Sequence, residues 1–193
     1  LCILLSFYLI KNTSSEVLFT SVIGGAATFL LFTTIKEFLQ KKYNISQTIS
    51  HFGFSLFILS ILFNSIFSNE FSANMKIGEE FKYKNESIKF LNLKTFEKDN
   101  YKSLVANFEI VNSNSSVSMF PEVRIYNEPN ILTSEADIIT SVFADKFIVM
   151  NLIKGEEIFN VRYQTKPFMI WIWMSTILIA LGGFVSLFKK KYE

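Results

Sequence analysis

The side chain with the greatest capacity for chemistry in this sequence is His51, the only histidine among 193 residues. It lies near the start of an apolar run, residues 49–67, that contains no charged residue. A neutral imidazole nitrogen binds metal ions and haem iron well, and an ionisable residue inside a membrane span is costly to keep there. Two interpretations follow. His51 is a ligand for a metal or haem iron, or it hydrogen-bonds water, a lipid headgroup or a backbone carbonyl at a helix entrance.

Two tryptophans, Trp171 and Trp173, stand at the start of the last apolar run, just after Pro167. Proline suits the first turn of a helix, and tryptophan is enriched at membrane interfaces. Because residues two apart point to different faces of a helix, one indole can anchor at the headgroups while the other faces a neighbouring helix or a bound partner.

The inventory of reactive residues excludes most enzyme classes. With one histidine and one cysteine, Cys2, the chain has no zinc cluster and no supported Ser-His-Asp or Cys-His arrangement. The glycine pairs Gly24-Gly25 and Gly182-Gly183 lie in apolar runs and match no phosphate-binding loop. We therefore expect no catalytic residue and no self-sufficient active site here.

The elements that position these residues are membrane spans, since a helix of about 20 apolar residues crosses ~30 Å of hydrocarbon. The hydrophobic residues make up 50% of the chain and charged residues 19%, a mixture typical of a membrane protein with a water-facing domain. We predict helical spans at about 1–10 (partial), 17–35 and 49–67, an extracytoplasmic β domain at 68–166, and a final helix with a basic cytoplasmic tail at 167–193.

Basic residues flank the spans and set the orientation. Lys36, Lys41 and Lys42 precede the 49–67 run, and Lys189-Lys190-Lys191 follow the last one. By the positive-inside rule both flanks face the cytoplasm or the mitochondrial matrix, which places 68–166 outside. That segment has 12 Lys plus Arg against 14 Asp plus Glu, so it presents no nucleic-acid footprint.

Within 68–166 the hydrophobic period changes to two. Alternation is clear at 104–111 and 158–163, and shorter runs occur at 80–84, 87–95, 122–126, 137–142 and 146–152, separated by turn residues and by a polar loop at 112–118. The pattern predicts a small antiparallel sandwich or barrel of about seven to nine strands. The small residues Gly24-Gly25-Ala26-Ala27 predict close helix packing.

Taken together, these segments resemble the C-terminal part of the CcmF/NrfE family of cytochrome c biogenesis proteins, the membrane subunits of the system I haem lyase. The resemblance is spread over about 140 residues in the family's order. It consists of His51-Phe52-Gly53, Gly78-Glu79, Asn100-Tyr101, Pro121-Glu122-Val123-Arg124-Ile125-Tyr126, Thr133-Ser134-Glu135-Ala136-Asp137-Ile138, Lys166-Pro167-Phe168, Trp171-Ile172-Trp173 and Ala180-Leu181-Gly182-Gly183.

The resemblance implies a role for His51 as one axial ligand to the iron of a transmembrane haem b. The other axial histidine belongs to an earlier span that this chain lacks, as it lacks the family's tryptophan-rich haem-presenting segment. Val123 is a departure, because the family usually has lysine there. Arg124 would pair with Glu122 or Glu135, or bind a haem propionate, since a guanidinium suits carboxylates.

The implied partners are a holo-CcmE-type haem chaperone, a CcmH-type thiol-handling subunit, apocytochrome c and the lipid bilayer. The implied location is the bacterial inner membrane with a periplasmic β domain, or the mitochondrial inner membrane. Two alternatives stay open. One is a membrane-tethered extracytoplasmic sensor or ligand-binding module without haem, and the other is a permease fragment.

Overall fold

The computed structural model describes residues 17–41, 44–112, 115–153 and 157–189. They form two compact units, one of helices and one of strands. The helices are α1 (Val17–Leu39), α2 (Ile45–Phe67) and α3 (Met169–Lys189), and the helical unit also includes the short segment Ser141–Ala144. Each helix is long and apolar enough to cross a membrane. The partial span predicted at 1–10 lies outside the described residues.

Helix α1 packs against α2, and α2 packs against α3. Small residues lie at these helix contacts. In α1, Gly24, Gly25 and Ala27 are buried while Ala26 is exposed, as expected for a packing surface on one side of a helix. In α2 the buried residues are Ser46, Gly53, Ser55 and Ser60. About half of the large apolar side chains described in the three helices are exposed and the rest are half-buried, which suits a surrounding of lipid.

The described residues contain ten strands. They are β1 (Asn69–Met75), β2 (Glu80–Tyr83), β3 (Glu86–Glu97), β4 (Tyr101–Asn112), β5 (Ser116–Met119), β6 (Glu122–Tyr126), β7 (Leu132–Glu135), β8 (Asp137–Ile139), β9 (Ala144–Leu152) and β10 (Phe159–Pro167). One sheet has the order β1-β10-β9-β8. The other has the order β2-β3-β4-β6-β7, with β5 also paired to β4.

The two sheets enclose one apolar core. Along β4, Ala106, Phe108 and Ile110 are at most 2% exposed, and the β10 residues Val161 and Tyr163 come from the facing sheet. These are the alternations predicted from the sequence, because every second residue of a strand points to the same side. The prediction of apolar helices with an inserted all-β domain is confirmed, and its architecture is the sandwich rather than the barrel.

A polar group also joins the two sheets. Glu86, at the start of β3, accepts a hydrogen bond from the Tyr163 hydroxyl at 2.7 Å and pairs with the Lys146 ammonium at 2.5 Å. Burial, together with this hydrogen bond to the carboxylate, raises the pKa of Tyr163 above its ordinary value. The tyrosine therefore stays neutral throughout the physiological pH range, and its hydroxyl donates a hydrogen bond to Glu86.

The structure corrects the strand prediction in three places. The expected polar loop at 112–118 is partly β5, because Val117 and Met119 turn inward when Ser116–Met119 pairs with β4. The run at 137–142 is a strand only over Asp137–Ile139. Strands β1 and β7 have no counterpart in the prediction, since their Asn, Ser, Thr and Glu residues lower the apolar alternation, and the total therefore exceeds seven to nine.

Candidate functional site

Helices α2 and α3 touch at a glycine of α3. Ser46 donates its hydroxyl proton to the carbonyl oxygen of Gly182, with 2.7 Å between the oxygens. A Cβ on Gly182 would lie 2.7 Å from the backbone nitrogen of Ser50 and 3.0 Å from the carbonyl oxygen of Ser46. A Cβ on Gly53 would lie 3.0 Å from the backbone nitrogen of Ile179. This contact fixes the rotation of α2 about its axis.

The rotation of α2 decides where His51 points. Successive residues of an α-helix are rotated by about 100°, so His51 lies about 200° around α2 from Gly53. Because Gly53 faces α3, the half-buried imidazole of His51 points away from α3. No hydrogen bond or ion pair of this ring is found within the part of the chain that the structure describes.

Within the part of the chain that the structure describes, His51 does not belong to a cluster of metal-binding side chains. Among the described residues, no group of three or more His, Cys, Asp or Glu side chains could hold a metal ion. Haem iron is a centre that takes only one or two axial ligands from the protein, with the porphyrin supplying the rest. His51 fits that requirement for one axial position.

A separate apolar cavity of about 280 Å³ lies among the three helices. From α2 it is lined by Thr48, Ile49 and Phe52, and from α3 by Leu178. His51 is not among its lining residues, although Phe52 directly follows it. The volume is slightly below the usual ligand-pocket range of roughly 300–1,000 Å³, so we do not place a macrocycle in this cavity.

The end of β10 is bound to α2 before α3 begins. The side-chain amide of Asn64 donates to the carbonyl oxygen of Pro167 at 2.6 Å, and the rings of Phe63 and Phe168 lie 5.4 Å apart. Phe168 has φ of 60°, a left-handed conformation that a bulky residue adopts only when its surroundings hold it there. The start of α3 is thus rigidly positioned within the helical unit.

The two tryptophans have different surroundings. Trp171 is half-buried and donates its indole N–H to the carbonyl oxygen of Val142 at 2.9 Å. Trp173 is 65% exposed. Trp171 therefore holds a protein contact, and Trp173 is the one available to lipid or to a partner.

Arg124 lies in a polar cluster on the sandwich. Its guanidinium pairs with the carboxylate of Glu122 and lies over the Tyr101 ring, 5.2 Å from the ring centre. Ser103 donates its hydroxyl proton to the other oxygen of Glu122 at 2.5 Å. Hydrogen bonding to Tyr126 and to Glu122 raises the pKa of Arg124 above its ordinary value.

The same contacts act on Glu122. Partial burial alone would raise its pKa, but the hydrogen bonds from Ser103 and Arg124 outweigh burial and hold the pKa below its ordinary value. Val123 points to the opposite side of β6 and is 0% exposed in the core. A basic side chain at position 123 would therefore not join Arg124 in this strand register.

The glycine contact was not predicted from the sequence, although a signal for it exists. Ser46, Ser50 and Gly53 are spaced four and three residues apart, which places small side chains on one helix face. The contacts of Asn64 and Val142 carry no such signal, because they join residues far apart in the chain.

The fold and these contacts define a class: a helical membrane protein with a β-sandwich inserted between two of its apolar helices. Residues 66–167 match the family model described as "CcmF C-terminal beta-sandwich". Because this match covers more than half of the chain, the chain belongs to the CcmF family.

The relatives extend the similarity beyond the sandwich. Over 146 residues the chain is 27% identical to the cytochrome c-type biogenesis protein CcmF of Haemophilus influenzae, covering 75% of this chain and 22% of that protein. Over 149 residues it is 28% identical to CcmF of Escherichia coli, with the same coverage of 75% and 22%. The chain thus spans about a fifth of the length of these curated relatives.

A solved structure shows the same fold. It is named "Cytochrome c Heme Lyase CcmF", and it aligns with 93% of this chain and 33% of its own length at a TM-score of 0.68 and 16% sequence identity. The alignment therefore includes helices as well as the sandwich.

Proposed function

We propose that this chain acts in cytochrome c maturation, as part of a membrane protein that handles haem while it is attached covalently to apocytochrome c. Membership of the CcmF family supports this function, and the relatives from Haemophilus influenzae and Escherichia coli carry the name cytochrome c-type biogenesis protein. The observation that carries the proposal is the imidazole of His51, which lies in an apolar helix and has no hydrogen bond or ion pair among the described residues.

On this proposal His51 is an axial ligand to the iron of a haem b within the membrane. An imidazole in lipid that lacks a protein partner is costly, and coordination of iron by its neutral nitrogen removes that cost. The haem would supply one-electron chemistry that keeps substrate haem iron reduced. The contact of Gly53 and Gly182 with the facing helices would keep the ring turned outward from α3, toward a further helix that carries the second ligand.

The outer groups of the chain have supporting roles in the proposal. The sandwich would dock apocytochrome c, a holo-CcmE-type chaperone and a CcmH-type subunit, or brace the haem site. Trp173, whose indole is exposed, would face lipid or such a partner. Arg124 already pairs with Glu122, so a haem propionate would have to share this guanidinium.

Haem spectroscopy tests the role of His51. The full-length protein, which includes the span that carries the second ligand, should show a low-spin b-type spectrum when it is purified from the membranes of cells that mature c-type cytochromes. His51→Ala should weaken that spectrum, and imidazole added to the buffer should restore it in part, since free imidazole replaces a missing ligand but does not repair a misfolded helix. A full spectrum in His51→Ala would remove this residue from the iron. Protein that contains no haem would instead favour the sensor module.

The proposed location is the bacterial inner membrane, or its mitochondrial equivalent, with the sandwich on the outer side. Cysteine labelling tests this topology in a Cys2→Ser background. Asp99, on the sandwich, and Lys41, after α1, are both exposed. In spheroplasts an impermeant maleimide should label Asp99→Cys, and it should label Lys41→Cys only after lysis. The reverse pattern would place the sandwich in the cytoplasm.

A further inference from the structure

The segment Ser141–Ala144, which connects β8 and β9, exposes two large apolar side chains. Val142 is 53% exposed and Phe143 is 71% exposed. The sequence Ser-Val-Phe-Ala contains no charge. Two adjacent large apolar side chains at the tip of a loop gain free energy from burial in an apolar environment. The position of this loop indicates which environment that is.

The loop is bound to the start of α3. The backbone N–H of Phe168 donates to the carbonyl oxygen of Phe143 at 2.9 Å, and the indole N–H of Trp171 donates to that of Val142 at 2.9 Å. Phe168 is itself held by the contact of its ring with Phe63. The loop therefore belongs to the compact helical unit and is fixed at the level where α3 begins.

We propose that Val142 and Phe143 insert into the boundary between lipid headgroups and acyl chains, as an interfacial anchor next to α3. Burial of exposed apolar surface in lipid is favourable, and tryptophans such as Trp171 and Trp173 concentrate at this same depth. The two carbonyl oxygens of the loop already accept hydrogen bonds from the protein. They can leave water without becoming unsatisfied, which entry into a lipid environment requires.

The lipid interface is favoured over a protein partner because the loop is hydrogen-bonded to the start of a helix composed to cross a membrane. Two hydrogen bonds, from Phe168 and Trp171, hold the loop at the start of α3. The proposal depends on α3 crossing the bilayer and is independent of haem binding at His51.

A fluorescent probe on the loop tests the proposal in the full chain reconstituted into phosphatidylcholine vesicles. In a Cys2→Ser background, Phe143→Cys is labelled with a nitrobenzoxadiazole dye. Lipids that carry a nitroxide next to the ester group should quench this dye strongly, and aqueous iodide should quench it weakly. Two matched positions calibrate the result. Phe184 is 58% exposed within α3, and Phe96 is 51% exposed on β3 of the sandwich.

The outcomes distinguish lipid, water and a covering protein as the surroundings of the loop. The dye at Phe184→Cys should respond to lipid nitroxides, which verifies that α3 is in the bilayer, and the dye at Phe96→Cys should respond to iodide. Adding Trp171→Phe to Phe143→Cys should reduce quenching by lipid, because the loop loses one hydrogen bond to α3. Quenching by iodide at position 143, or protection from both quenchers as under a covering protein, would overturn the proposal. Equal lipid quenching at positions 96 and 143 would overturn it as well.

Discussion

Gly182→Ala should weaken the packing of α2 on α3, whereas Gly183→Ala should not. The added methyl at position 182 would lie 2.7 Å from the backbone nitrogen of Ser50, so the helices would have to separate. Separation would also strain or break the hydrogen bond from Ser46 to the Gly182 carbonyl. A Cβ on Gly183 would meet nothing within 4 Å among the described residues. The adjacent glycine is therefore a matched control.

The magnitude follows from three terms. Overpacking of a close contact costs about 1–3 kcal/mol, and loss of an interhelical hydrogen bond in a membrane protein costs about 0.6 kcal/mol. Replacing glycine by alanine stabilises a helix by about 1 kcal/mol. This gain is the same at both positions, so it cancels when the two variants are compared. We expect Gly182→Ala to be less stable than Gly183→Ala by about 2–4 kcal/mol.

Unfolding by sodium dodecyl sulfate in mixed micelles measures this difference. Trp171 and Trp173, the only tryptophans, both lie on α3 and report its release from α2 through their fluorescence. Substitutions at ordinary surface positions change the free energy of unfolding by no more than about 0.5 kcal/mol. If the free energies of unfolding of the two variants differ by no more than this, the close helix contact is refuted.

Two further predictions concern the sandwich. Because the folded-state pKa of Glu122 lies below its ordinary value, its contribution to stability is complete above about pH 4.3 and is lost as the pH falls through the lower pKa. Amide hydrogen exchange in β4 and β6 should speed up over that acid range, and an equal response in Glu122→Gln would contradict this. Val123→Lys should destabilise the sandwich by about 3–5 kcal/mol in urea unfolding, since it moves a charge into the core. Ser118→Lys, at an exposed position on β5, should change the free energy of unfolding little. Equal urea midpoints for Val123→Lys and Ser118→Lys would show that position 123 is not buried.

The sequence predicts those elements whose own residues face the core. Strands β4 and β10 alternate apolar and polar residues because one side of each packs into the sandwich, so their signal is local. The short strands β1 and β5 have weak alternation and become strands by pairing with β10 and β4. That pairing is a tertiary effect, which single-sequence patterns do not contain.

An irregularity in β3 illustrates the same limit. The register with β4 shifts between Phe90 and Asn92, so the inward side changes from Ile88 and Phe90 to Leu93. A bulge of this kind inserts one residue and reverses the alternation. The predicted strand at 87–95 was correct as a strand, but its sequence has no feature that marks where the reversal occurs.

For the candidate site, the chemical type of His51 was evident from its isolation in an apolar run. Its orientation was not, because the direction of the ring depends on Gly53 and Gly182 meeting across two helices. The carboxylate partner of Arg124 was open among Glu122, Glu135 and a haem propionate, and among the described residues Arg124 pairs with Glu122. Residue identity thus indicates the chemistry available, while the choice among partners is made by packing.

The first and last strands of the sandwich are neighbours, with Asn69 paired to Thr165. The polypeptide therefore leaves the domain next to the place where it enters. Joining α2 to α3 by a flexible loop of about 100 residues would cost on the order of 4 kcal/mol in closure entropy, and the β1–β10 ladder removes that cost. An ancestral helical hairpin with a short turn could acquire such a domain, or exchange it for another, without rebuilding its intramembrane contacts.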